Sequence, residues 1–232
     1  AGQQQWYSTH VKHAINDYFN HPNVHILSQS VLRRKPQRKE ESTALVAPLF
    51  PPEPRAPDAE EEDLEAYHCF SVAVAEAESF GDGSYVCVED DSGLAGKAAV
   101  HLDGPHASLI MANKCDFPVL VLHLKNKRKF LSVLINIRDA SGRHRKIILT
   151  NHVTQATLDA PNGSIAQLPM ILAEGWQMVP VNLAELTKSL WGTEYSGIEQ
   201  VRVKANCAVR KVFMADRIYA DIELPEYLRA LG

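Results

Sequence analysis

Residues 174–217, EGWQMVPVNLAELTKSLWGTEYSGIEQVRVKANCAVRKVFMADR, change periodicity twice and constrain the fold more than any other stretch. Residues 176–182 alternate apolar and polar positions around a β-prone centre, which predicts a strand. Residues 183–191 switch to helical spacing, with Leu183, Leu186 and Leu190 on one stripe and Asn182 available as the N-cap. Gly192 and Gly197 are expected to bracket a turn. Val201, Val203 and Ala205 then share one side of a strand, and Arg202, Lys204 and Asn206 the other. Asn206-Cys207 reads as a tight reversal, and residues 208–215 as a second strand pairing antiparallel with the first. The expected unit is strand, short helix, basic hairpin.

Strand signals run back from this unit to about Tyr67. Residues 68–75 and 84–89 read as two strands around the Gly81-Asp82-Gly83 turn. Residues 98–102 and 108–111 follow, each bounded by Gly, Pro or Asn. The continuous apolar run 117–124 predicts a central strand buried on both faces. In 130–138 the alternation is clean, with Leu131, Val133, Ile135 and Ile137 facing one way. Residues 139–142 predict a hairpin loop and 145–150 the returning strand. Asn162-Gly163 is a turn signal, 166–172 a weaker strand, and 223–231 a C-terminal turn of helix. About ten short strands interrupted by one interior helix describe a mainly β chain, an antiparallel β-sandwich.

Before Tyr67 the character changes. Residues 6–19 place Tyr7, Val11, Ala14, Ile15 and Tyr18 at helical spacing, a helix too short to persist without a docking surface. Between residues 20 and 57 periodicity disappears and seven of the thirteen prolines occur, so the segment reads as an extended arm. Arg33-Arg34-Lys35 and Arg38-Lys39 form a basic cluster in it, and 59–65 is acidic. The expected division is therefore 1–66 as helix and arm, and 67–232 as the sandwich domain.

The net charge of -4 conceals a split. Residues 1–113 hold 8 Lys+Arg against 17 Asp+Glu, while residues 114–217 hold 15 against 8, a balance of +7. A basic sandwich favours acidic partners. Lys125, Lys127, Arg128 and Lys129 crowd one loop, and Arg143, Arg145 and Lys146 the next hairpin. Arg202, Lys204, Arg210 and Lys211 lie on the last two strands. These eleven residues form the expected partner-docking set. Nucleic-acid binding would require aromatics interleaved with these charges, and only Phe130 and Phe213 are placed for it, both at core positions. No apolar run approaches the ~20 residues of a membrane-spanning helix, and the N-terminus lacks a signal-peptide pattern. Neither nucleic acid nor membrane is expected as a partner.

Catalytic patterns are not found. There is no nucleophile elbow, Walker loop, dinucleotide-binding glycine run or HExxH. The ten histidines are scattered, and His123 inside an apolar strand reads as a packed residue. Cys69, Cys87, Cys115 and Cys207 stand far apart, which predicts reduced thiols in an intracellular protein and no zinc site. Asp82 and Asp90-Asp91 do not make a calcium loop. No enzyme activity and no cofactor are expected. Sandwiches of this shape often bind carbohydrate on exposed aromatic rings, which leaves glycan binding as the alternative. Trp176 and Trp191, the tryptophans of the sandwich, fit core anchors better.

One set of motifs points further. Gly175-Trp176, Val181-Asn182-Leu183, Trp191-Gly192-Thr193-Glu194-Tyr195, the run from Lys204 to Phe213, Ala215-Asp216-Arg217-Ile218-Tyr219 and Glu223-Leu224-Pro225-Glu226 resemble the C-terminal signature of the cilia- and flagella-associated protein 20 domain family. The resemblance extends loosely upstream to about Phe117. It implies a jelly-roll-like sandwich and a structural role in the axoneme of cilia and flagella, at basal bodies or at centrioles. It further implies a microtubule inner protein that helps join tubules of the doublet microtubule at the inner junction. Tubulin, other axonemal microtubule-associated proteins and the parkin co-regulated gene product are the partners it implies. The proline-rich arm and the first strands depart from the pattern, which marks a divergent member or paralogue.

Overall fold

The computed structural model describes residues 44–50, 70–71, 84–94, 96–159 and 163–230. The expected helix over 6–19, most of the arm, the Gly81-Asp82-Gly83 turn and Asn162 lie outside them.

Two sheets face each other across one core. In the first, β11 (Gly175–Asn182), β6 (Val119–Asn126), β13 (Cys207–Ala215), β4 (Lys97–Asp103) and β3 (Tyr85–Asp91) lie in that order, and β1 (Val46–Phe50) also pairs with β13. In the second the order is β2 (Phe70–Ser71), β5 (Ser108–Cys115), β12 (Tyr195–Lys204), β7 (Ser132–Asp139), β8 (His144–Thr150), β10 (Ile165–Pro169) and β9 (Thr157–Leu158). The helix α1 (Leu183–Trp191) follows β11 directly. The expected mainly β sandwich with one interior helix is the fold of the described residues, although β10 runs parallel to β8.

Sequence alternation becomes core packing as β geometry requires. Leu131, Val133, Ile135 and Ile137 are fully buried on the inner face of the second sheet. Strand β6 is buried on both faces. Leu120, Leu122 and Leu124 enter the main core, while Val119 and Val121 join Phe213, Ala215, Leu224 and Leu228 on the outer face of the first sheet. The C-terminal segment supplies Leu224 and Leu228. It forms two 3-10 turns, Asp221–Glu223 and Glu226–Leu228, in place of the expected helix turn, because Pro225 between them lacks an amide donor.

Three expectations change. First, β12 and β13 are not a hairpin. Strand β12 lies between β5 and β7, whereas β13 lies between β6 on one side and β4 with β1 on the other. Val201, Val203, Cys207 and Val209 all face the same core, so the chain steps from one sheet to the other at Asn206. There the Asn206 Oδ1 accepts from the Gly104 amide at 2.9 Å and its Nδ2 donates to the Phe130 carbonyl at 3.1 Å, tying three connections together. Gly197 lies within β12, beside a register shift, and not at the end of a turn. Second, β2 and β3 belong to different sheets, so the strands around the Gly81-Asp82-Gly83 turn do not pair. Third, β1 falls inside the expected arm yet pairs with β13, Val46 opposite Ala215 and Pro48 opposite Phe213.

A candidate docking surface

The signature residues hold the sandwich together at one end. Asn182 caps α1 by accepting from the Glu185 amide at 3.2 Å, and Gly192 ends it in the left-handed conformation, φ 67°. The Trp191 indole donates to the Gly163 carbonyl, and the Arg145 guanidinium stands 5.2 Å from the ring centre. Arg145 Nε donates to Asp139 Oδ2 at 2.9 Å, and Thr193 Oγ1 to the same oxygen at 3.3 Å. The Tyr195 hydroxyl donates to the Phe117 carbonyl at 3.1 Å. Burial pushes the Tyr195 phenol far above its usual range. Trp176 packs with Leu94, Ala99 and Ala208 on the outer face of the first sheet, 5.1 Å from His123. Both tryptophans are therefore packing anchors.

The eleven expected docking residues do not form one surface. Arg145 and Lys211 are buried, 7% and 2% exposed, and this corrects their expected place on a docking face. The reason is geometric: Arg145 pairs across from the inward-facing Ile137, and Lys211 follows the β-bulge after Val209 and lies under the C-terminal segment, donating to the Arg229 carbonyl. Burial, with repulsion from Arg210 and Lys97, pulls the Lys211 ammonium down to about 8. Burial also lowers neighbouring Arg210 and pulls His123 down to about 3, so that imidazole is neutral.

The loop cluster is neutralised within the fold. Lys125 binds Asp91 at 2.8 Å, Lys127 binds Asp103, Lys129 stands 3.8 Å from the same carboxylate, and Arg128 binds Glu174. Burial raises the Asp91 carboxyl, but the bonds from Lys125 and the Gly93 amide outweigh it and hold the group below the usual carboxylate range. Asp91 is thus the counter-charge of Lys125.

Apart from Arg210, half-buried on β13 of the first sheet, four of the expected set remain: Arg143, Lys146, Arg202 and Lys204. Among the described residues none of these four stands within 4 Å of a carboxylate, and all lie on the second sheet or its β7–β8 connection. Lys114 on β5 shares that state, and the expected set lacks it. Its signal is the alternation along β5, where Leu109 and Met111 enter the core and Ile110, Ala112 and Lys114 point outward. At one end of this face, Arg138 and His144 both bind Glu199, at 2.7 and 2.8 Å. The His144 bond, above all, holds the Glu199 carboxyl below its usual range. A groove of about 540 Å³ opens beside them, reaching from Val46 on β1 to Lys114 and Asp116.

Among the described residues no group of three or more His, Cys, Asp or Glu side chains could hold a metal ion. No helix among them is long and apolar enough to cross a membrane. Cys87, Cys115 and Cys207 are free thiols, and Cys69 lies outside the described residues.

A family model described as the CFA20 domain matches residues 113–231. The chain is 32% identical over 108 residues to "Cilia- and flagella-associated protein 20" of Chlamydomonas reinhardtii, covering 47% of this chain and 55% of that protein. The protein of the same name from Caenorhabditis elegans is 34% identical over 108 residues, covering 47% of this chain and 52% of that protein. The chain thus spans about half the length of the curated relatives it matches. Among solved structures it overlaps the endo-1,4-beta-glucanase CelB2 at 10% identity and TM-score 0.34, covering 57% of this chain and 87% of that one. A family 11 carbohydrate-binding module from Clostridium thermocellum overlaps at 10% identity and TM-score 0.30, covering 60% and 86%. At those scores the overlaps carry no functional weight.

Proposed function

This chain belongs to the CFA20 domain family, and on that premise we propose that it is a non-catalytic structural component of cilia and flagella. In this reading it binds tubulin and neighbouring microtubule-associated proteins in the axoneme and stabilises doublet microtubules. The relatives' name supports the compartment. The observation that carries the binding is the set of cations on the second sheet that meet no carboxylate among the described residues: positive charge not neutralised there attracts an acidic surface. A microtubule inner protein at the inner junction, beside the parkin co-regulated gene product, is the finer form of the proposal, with basal body or centriole as further sites. The division into 1–66 and 67–232 belongs to it too, with β1 of the first segment completing the sandwich of the second. Glycan binding gains nothing from Trp176 and Trp191, which are engaged in packing.

Co-sedimentation of the full chain with stabilised microtubules tests the reading. Binding should be clear at about 50 mM salt and weak at about 200 mM, because charge contacts are screened over about 8 Å at physiological ionic strength. No binding, or binding indifferent to salt, overturns it. A tagged chain in ciliated cells should remain with detergent-extracted axonemes; a diffuse, fully extractable signal overturns the compartment.

A further inference from the structure

Positive charge in this chain is sorted by sheet. Along residues 114–217, Lys125 of the first sheet binds Asp91 and Lys211 is buried, while the loop at its edge sets Lys127 and Lys129 against Asp103 and Arg128 against Glu174. On the second sheet Arg138 and Arg145 are paired, but among the described residues Lys114, Lys146, Arg202 and Lys204, with Arg143 at the adjoining turn, meet no carboxylate within 4 Å. A solvated face chosen for solubility alone mixes both signs. Among the described residues the acids nearest this rim are Glu199, which Arg138 and His144 bind, and the exposed Asp159 beyond β9.

Strand register fixes the footprint. Arg202 lies opposite Leu134 on β7 and Ile110 on β5, and Leu134 lies opposite Ile148 on β8. That makes one row of aliphatic, guanidinium, aliphatic, aliphatic across four strands. In the next row Gln200 lies opposite Asn136 and Ala112, and Asn136 opposite Lys146. The Asn136 amide donates to Gln200 Oε1 at 3.1 Å, which links the two side chains across β7 and β12. Lys204 stands two residues beyond Arg202, about 7 Å along β12, and Lys146 two strands away, about 10 Å across. Leu134, Ile148, Arg202, Lys204 and Lys146 are all half-buried. An aliphatic centre rimmed by cations has the anatomy of a protein-binding patch. None of these five side chains is an aromatic ring on which a base or a sugar would stack.

We infer that the outer face of the second sheet, centred on Leu134 and Ile148 and rimmed by Lys146, Arg202 and Lys204, docks a carboxylate-rich protein surface. This deepens the proposed function and rests on it for the partner's identity, not for the face. The first sheet takes no part in this contact: its outer face is covered by Trp176 and by Leu224 and Leu228 of the C-terminal segment.

The test uses the full chain and three probes: stabilised microtubules, poly-L-glutamate, and vesicles or duplex DNA of the same charge sign. Arg202→Glu with Lys204→Glu reverses the rim, and Leu134→Ser with Ile148→Ser removes the centre. Arg128→Gln with Lys188→Gln neutralises two exposed, ion-paired cations elsewhere. Circular dichroism and Tm confirm that each variant is folded. The rim reversal should weaken microtubule binding by about tenfold or more, the serine pair several-fold, and the control less than about twofold. If the wild type binds microtubules and the rim reversal binds equally well, the face assignment falls and the proposed function stands. If the wild type ignores microtubules yet binds poly-L-glutamate through the rim, the function falls and the face stands. Binding to neither probe, or stronger binding to vesicles or DNA, overturns the inference. Should the rim reversal not fold, Arg202→Gln with Lys204→Gln gives the same reading at smaller amplitude.

Discussion

Asp139→Asn should destabilise the sandwich far more than its conservative chemistry suggests. Asp139 is 1% exposed. Its Oδ1 accepts from the Ser141 amide at 3.0 Å, the Ser141 hydroxyl at 2.6 Å and the Arg143 amide at 3.0 Å. Its Oδ2 accepts from Arg145 Nε at 2.9 Å. Burial raises the carboxyl's pKa, but the bonds from Ser141, the Arg143 amide and Arg145 outweigh it and hold the group far below the usual carboxylate range. Asparagine with its oxygen toward Ser141 keeps the turn intact. Its NH2 then meets the guanidinium donor to donor, and Arg145 is left as a buried cation without a counter-charge. Breaking a buried pair from one side costs about 3–5 kcal/mol. At about 2–4 °C per kcal/mol for a domain of this size, Tm should fall by about 6–20 °C. Calorimetry on D139N and on the double variant D139N/R145M separates the causes. The double variant removes the stranded cation and should recover part of the loss. A fall below about 3 °C in D139N, or no recovery in the double variant, refutes the argument.

Two further predictions follow from the fold. The Lys211 ammonium, lowered from 10.5 to about 8 by burial and by Arg210 and Lys97, binds fewer protons folded than unfolded between those values. Stability should therefore rise with pH across about 8–10.5, and Lys211→Met should lack that rise. Urea midpoints at about pH 7.5 and about pH 10 measure it, and parallel behaviour of the two proteins would refute the burial of a charged amine. Gly192 and Gly104 both hold positive φ, 67° and 87°. A Cβ at Gly192 meets nothing within 4 Å, but one at Gly104 would stand 2.5 Å from Ser84 Cα. Gly192→Ala should cost about 1 kcal/mol, the backbone penalty alone. Gly104→Ala should cost clearly more, and equal costs by chemical denaturation would sink the steric argument.

What the sequence determined by itself was everything set by local period. The alternation 130–138 became the inward face of β7, the apolar run 117–124 became the doubly buried β6, and Asn182 with Gly192 marked the two ends of α1. The signature motifs marked the family, and the structure shows what those residues do: Trp191, Thr193 and Tyr195 pin the helix end to Arg145, Asp139 and Phe117. Pairing was not legible. A short connection between two alternating strands reads as a hairpin whether the chain folds back in one sheet or crosses to the other, because period two fixes only which side chains share a face. Asn206 crosses, and so Arg202 and Lys204 emerge on one outer face while Arg210 and Lys211 turn to the opposite one. Charge suffered the same ambiguity. Fifteen cations against eight acids over 114–217 announced a basic half, but only tertiary contacts decide which of them are neutralised. Asp91 and Asp103, from the acidic half of the sequence, come to lie beside Lys125 and Lys127. Coulomb attraction depends on distance in space, and along the chain those partners are 34 and 24 residues apart.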